Sequence, residues 1–276
     1  KTKKELAIVD EDTKLPAYLN KVDRGSGMDS MGVNDMVVPR IKLLQGISPE
    51  VQDFDEAKAG LFWHSIADSP MGDHFDFIVI KDRKRYLLSA PLSDGQGILA
   101  RADDAKKWDR MGKWTVKIKN FGNVEWGITD LNVERSGLAN WGTSIPTNPD
   151  SPPAATLFYE YLVDVPGRPD LSPAVMLLAR SQIRPARKQL NAKLEYQFNL
   201  GRPTQAVVMT ASSVEEMGDE GPYMNLSFRQ ARFANEKEYE RAMDLRERYS
   251  DYAVHDEESA AIGDSDESAD ADSNKF

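Results

Sequence analysis

His74-Phe-Asp-Phe-Ile-Val-Ile-Lys81 is rich in β-branched and aromatic residues and follows the turn residues Pro70 and Gly72. These are the marks of a strand. Arg83-Lys-Arg-Tyr-Leu-Leu88 either continues that strand or starts its partner. Upstream, Lys58 to Ile66 reads as another strand. Val37 to Val51 reads as a short strand and turn, because Pro39 and Pro49 oppose a continuous helix. Downstream, strands are expected at Ala154–Val165, Ala174–Ala179, Gln205–Ala211 and Gly221–Phe233. In the last of these, Tyr223, Asn225, Ser227 and Arg229 alternate with Met224, Leu226 and Phe228, the period of a half-buried strand. Two helices are expected, one from Ser181 to Leu194 with Ser181 as N-cap and Pro185 in its first turn, the other from Asn235 to Tyr252. The fold class is therefore mainly β (α+β), an OB-like antiparallel barrel or sandwich core with peripheral helices. Residues 91–155 read as irregular apart from Trp114–Lys119, which alternates at period two.

The 276 residues divide into a flexible N-terminal arm (1–35), a β-rich body (36–250) and a disordered acidic tail (251–276). The formal charge is −10, and the tail alone holds nine acids against one base, Lys275. The body is nearly neutral, with 28 bases and 29 acids over residues 36–250. Such asymmetry points to an interaction tail or a nucleic-acid connection. No window approaches the roughly 18 apolar residues of a membrane span, so no membrane partner is expected. The start, Lys1 to Val9, lacks the apolar core of a signal peptide. The absence of cysteine excludes thiolate chemistry, disulfides and Cys-type zinc sites. A soluble protein of the cytoplasm is expected.

Two stretches carry the chemistry. Between Lys81 and Lys119 eleven bases face five acids. Lys81, Arg83, Lys84, Arg85, Lys106, Lys107, Arg110, Lys113 and Lys117 are candidates for holding phosphates. Tyr86, Trp108 and Trp114 lie among them and are candidates for stacking on unpaired bases. The alternative is a solvated loop with both tryptophans turned into the core. The second stretch, Arg180 to Lys193, has five bases and no acid. On a helix from Ser181, Arg184, Arg187 and Lys188 share one face and are suited to tracking a phosphate backbone. An acidic tail tethered to such a body competes for the same cations at high effective concentration.

Asp264-Ser-Asp-Glu-Ser-Ala-Asp-Ala-Asp-Ser-Asn-Lys-Phe276 resembles the acidic tails of single-stranded DNA-binding proteins of bacteria and bacteriophages. Pro39 to Val51 is similar to the opening of a phage protein family, some of whose members are assigned as single-stranded DNA-binding. The resemblance implies an OB-fold body, a tail that regulates access to DNA, and docking of replication or recombination proteins through Asp270, Asp272 and Phe276. Lys275 departs from the usual acidic end.

The expected function is non-specific binding of single-stranded DNA in phage replication or recombination, in the cytoplasm of an infected bacterium. No catalytic residue, metal or cofactor is expected, and a homo-oligomer is possible. The alternatives are a virion structural or assembly protein, a metal-dependent nuclease and a strand-annealing recombinase. His64 and His74, near Asp68, Asp73 and Asp76, match no metal-binding spacing. There is neither a Gly-rich phosphate loop nor a Gly-x-Ser-x-Gly elbow.

Overall fold

The computed structural model describes residues 37–91, 94–218 and 221–250. In chain order its elements begin β1 (Arg40–Leu43), α1 (Pro49–Asp53), β2 (Phe62–His64), β3 (Ser69–Gly72) and β4 (His74–Ser89). There follow β5 (Ile98–Ala102), β6 (Gly112–Ile118), β7 (Gly122–Ile128), α2 (Val133–Ser136), β8 (Ala155–Asp164) and β9 (Ala174–Ala179). The last are α3 (Ile183–Pro185), α4 (Ala192–Asn199), β10 (Val207–Gly218), β11 (Gly221–Phe233) and α5 (Glu236–Arg248). The protein is mainly β, as its sequence predicts. Its large sheet runs β11-β10-β4-β8-β9-β1-β2-β3, with β5 also paired to β4. It curls into a half-barrel. All its pairings are antiparallel except β1 with β9.

The sheet is organised on β4. Apart from half-buried Asp76, Phe75 to Ile80 are apolar and buried, as a central strand requires. The strand runs on through Arg83–Leu88 without a turn, spanning 16 residues, roughly 50 Å at the usual rise. One border pairs β10 over His74–Ile78 and β5 over Tyr86–Ser89. The other pairs β8 over Ile78–Leu88.

A bulge at Ile80 interrupts that register. Val79 faces Val163, whereas Lys81 already faces Leu162. The extra residue reverses the alternation. Before it, Phe75, Phe77 and Val79 point into the main core. Beyond it, Asp82, Lys84 and Tyr86 take that side, opposite Tyr161, Tyr159 and Leu157. Lys81, Arg83 and Arg85 point to the other side. The buried side chain of Gln205 donates from Nε2 to the Ile80 carbonyl at 3.1 Å. Arg246 of α5 holds Gln205 in turn, donating to its Oε1 at 3.2 Å.

The main core lies on the concave side of the sheet and is closed by Ala186, Leu190 and Leu194 of the helical segment 180–199. That segment is not the single α-helix expected from Ser181. It is a 3-10 turn (Arg180–Gln182), α3, a π-helical stretch (Ala186–Asn191) and α4. Ser181 lies inside the first turn and does not cap it. Pro185 has no N–H to give, and the wider π turn brings Ala186 and Leu190 onto the sheet. The expected final helix is α5, where Asn235 and Glu238 form a reciprocal capping box.

Two further readings are corrected. Residues 37–51 hold a strand and also α1, because Pro49 sits in the first helical turn where a missing N–H is harmless. Residues 91–155 are more regular than their composition suggests. They contain β5, the β6–β7 hairpin and α2, gathered around a second core of Leu88, Leu99, Val116, Trp126 and Ile128.

Among the described residues β11 ends the sheet, and side chains cover its outer border at two positions. Gln45 donates from Nε2 to the Met224 carbonyl at 2.8 Å and accepts from the Met224 N–H at 2.9 Å. Gln189 Oε1 accepts from the Phe228 N–H at 2.6 Å.

Gln205→Ala leaves the bulge carbonyls without their donor. It should lower stability by about 1–3 kcal/mol, read as a reduced urea midpoint with unchanged slope.

Candidate nucleic-acid interface

The reversal at Ile80 distributes the first basic stretch over two surfaces. On the α5 side, Arg83 makes a two-pronged bond to Glu160, Nε to Oε1 at 2.7 Å and Nη2 to Oε2 at 3.0 Å. Arg85, fully buried, reaches the same carboxylate at 3.4 Å and Asp103 at 3.7 Å. Both guanidiniums are thus engaged by acids inside the fold, so neither is available for phosphate as their sequence positions suggest. Lys81 donates to the Ser250 carbonyl at the end of α5.

On the concave side the two basic stretches meet. The Lys84 ammonium lies 5.2 Å from the centre of the Tyr159 ring, and the Arg187 guanidinium lies 5.6 Å from it. Arg187 Nε also donates to the Tyr159 hydroxyl at 2.7 Å. Cations over a ring face are attracted by its quadrupole. Tyr86 is half-buried, and burial pushes its hydroxyl pKa up, while the nearby Arg187 charge pulls the other way. Tyr161 donates to Asn191 Oδ1 at 2.7 Å, tying β8 to the π turn.

Arg184, Arg187 and Lys188 are exposed along this segment. The π stretch changes the helical repeat, so their common face is not the i, i+3, i+4 face of an α-helix. Among the described residues none of the three has a carboxylate partner.

The remaining candidates lie elsewhere. Lys106 and Lys107 are exposed on a turn, where their N–H groups donate to Asp104 and hold its carboxyl below the usual range. Arg110 pairs with Asp109, and Lys113 with Glu125. Lys117 is exposed on the outer face of the hairpin. Among the described residues, no hydrogen bond, ion pair or ring contact joins these five to the Lys84–Arg187 cluster.

The tryptophans correct the stacking assignment. Trp108 is 1% exposed and donates from Nε1 to Ser136 Oγ at 3.0 Å. It is a core residue and has no face to offer a base. Trp114 is half-buried and turned to the second core opposite Trp126. Asp270, Asp272 and Phe276 lie outside the described residues. So do the whole arm and tail. His64 is buried on β2, and desolvation pushes its ring pKa down, whereas His74 is exposed beside Asp73. Among the described residues no three acidic or histidine side chains gather to hold a metal ion, and no helix is long and apolar enough to cross a membrane.

A family model described as Pam3 phage gp34-like protein matches residues 9–255. The chain belongs to this family. Membership places it among phage proteins, in agreement with the phage origin that its sequence suggests. No match is found among curated proteins or among solved structures.

Sequence reasoning missed Tyr159 and Glu160. Tyr159 lies in a stretch that reads only as an apolar strand, yet it is the point on which the two basic stretches converge. Glu160, its neighbour, takes the opposite face and neutralises Arg83 and Arg85. Neither role is visible without the β4–β8 register.

Glu160→Ala strands the Arg83 guanidinium and leaves the buried Arg85 with Asp103 alone. It should destabilise the fold by about 3–5 kcal/mol in denaturant titration. A change below 1 kcal/mol would show that Arg83 and Arg85 find water instead.

Proposed function

We propose that this phage protein binds single-stranded DNA, non-specifically, in replication or recombination. The observation that carries the reading is the convergence of Lys84 and Arg187 on Tyr159, beside exposed Arg184 and Lys188. Cations free of carboxylates release counterions when they meet phosphates. Between residues 180 and 202 there are six bases and a single acid, Glu195, an excess suited to a polyanion.

In this reading the strand follows the helical segment, with its phosphates held by Arg184, Arg187, Lys188 and Lys84. Tyr86 lies at the border of the cluster. The acidic residues 251–276 compete with the strand for these cations. Asp270, Asp272 and Phe276 dock replication or recombination proteins. Binding is then salt-sensitive and largely indifferent to sequence.

The test is titration of the full chain with oligo-dT at several salt concentrations; absence of binding at low salt removes the reading. Arg184→Ala with Lys188→Ala should weaken binding and make the dependence of log K on log salt shallower by about 1.4, the amount expected for two phosphate contacts on a single strand. An unchanged slope would move the interface elsewhere. Removal of residues 251–276 should raise affinity at low salt; equal or weaker binding would reject competition by the acidic segment.

A further inference from the structure

With Trp108 inside the core and Trp114 turned to it, base stacking needs other rings. Among the described residues, several exposed large apolar side chains lie at the end of the same helical segment and at the end of β11. Tyr196 and Phe198 of α4 are 56% and 65% exposed, Leu200 just beyond is 52% exposed, and Phe233 at the end of β11 is 46% exposed.

Cations accompany these rings. The Lys193 ammonium lies 5.5 Å from the centre of Tyr196, and the Arg202 guanidinium 5.0 Å from the centre of Phe233. Arg202 is fixed by a bond from Nη1 to Gln197 Oε1 at 2.8 Å, and Gln197 Nε2 donates to Gln230 Oε1 at 2.8 Å. This chain of amides ties the end of α4 to β11, where Arg202 lies over Phe233. Among the described residues neither Lys193 nor Arg202 has a carboxylate partner.

We infer that the exposed rings of Tyr196, Phe198 and Phe233, set around the end of α4, offer stacking platforms for the bases of a single strand, with Lys193 and Arg202 holding its phosphates. This rests on the single-stranded DNA reading and extends its interface past Lys188 to the end of β11. An exposed ring beside an unneutralised cation offers a π-face for a base and a positive charge for its phosphate. A second copy of the chain is the poorer occupant. A two-fold interface sets a patch against itself, which would bring the Lys193 and Arg202 charges of both copies together.

The experiment uses the full chain and an oligo-dT carrying 5-iododeoxyuridine in place of scattered thymidines. After irradiation, the attached residues are mapped by mass spectrometry. Adducts are expected on Tyr196, Phe198 or Phe233. In parallel, Phe198→Ala with Phe233→Ala should lower oligo-dT affinity about five- to a hundredfold, leave the salt slope unchanged, and keep the circular dichroism melt of the parent. If the parent chain binds, its adducts fall elsewhere and the double variant binds equally well, the platform is refuted and the broader reading stands. If the parent chain does not bind at all, that reading falls and the platform with it. Unchanged oligo affinity together with loss of a dimer in light scattering would assign the patch to self-association and overturn the inference.

Discussion

Successive side chains of a strand point to opposite sides of its sheet, and one extra residue inverts that order. In β4 the extra residue is Ile80. Three partner strands register against β4, so the inversion is felt across the middle of the molecule. Ahead of Ile80 the rings of Phe75 and Phe77 fill the concave core; after it the same side carries Lys84 and Tyr86. The bulge is held by Gln205 and through it by Arg246 of α5. The bulge that orients the basic residues thus also carries a contact to α5.

The inversion gives adjacent cations different chemistry. Arg83 and Arg85 meet Glu160 and Asp103 and become part of the fold. Lys84, between them in sequence, meets an aromatic ring and Arg187 across the concave side. A guanidinium enclosed with a carboxylate contributes mainly through the penalty of removing its partner. Lys84 is itself exposed over the buried Tyr159 ring, so its charge stays available to an anion. Charge counted along the chain therefore overstates the number of cations that solution can reach.

Much of the architecture was legible in the sequence. The strands at Phe75, Ala155, Ala174, Val207 and Gly221 follow from period-two alternation and β-branched content, and α5 from its cap. The helical segment was legible in extent but not in pitch, since nothing local separates a π stretch from an α-helix before its packing is known. The site was less legible. Trp108 stands in Lys-Lys-Trp-Asp-Arg, whose polarity suggests exposure; its burial depends on Ser136 and on a core assembled from residues 88 to 155. Tyr159 and Glu160 are neighbours with opposite roles, and only the pairing of β8 with β4 separates them.

The glutamine seal on β11 bears on how copies of this chain can meet. Gln45 and Gln189 occupy the N–H groups of Met224 and Phe228 and the Met224 carbonyl, groups that an outermost strand otherwise offers to a neighbour. A newcomer strand cannot lengthen the sheet here without first evicting both amides. At Met224 and Phe228, contact with another copy through this rim therefore favours side chains over backbone pairing.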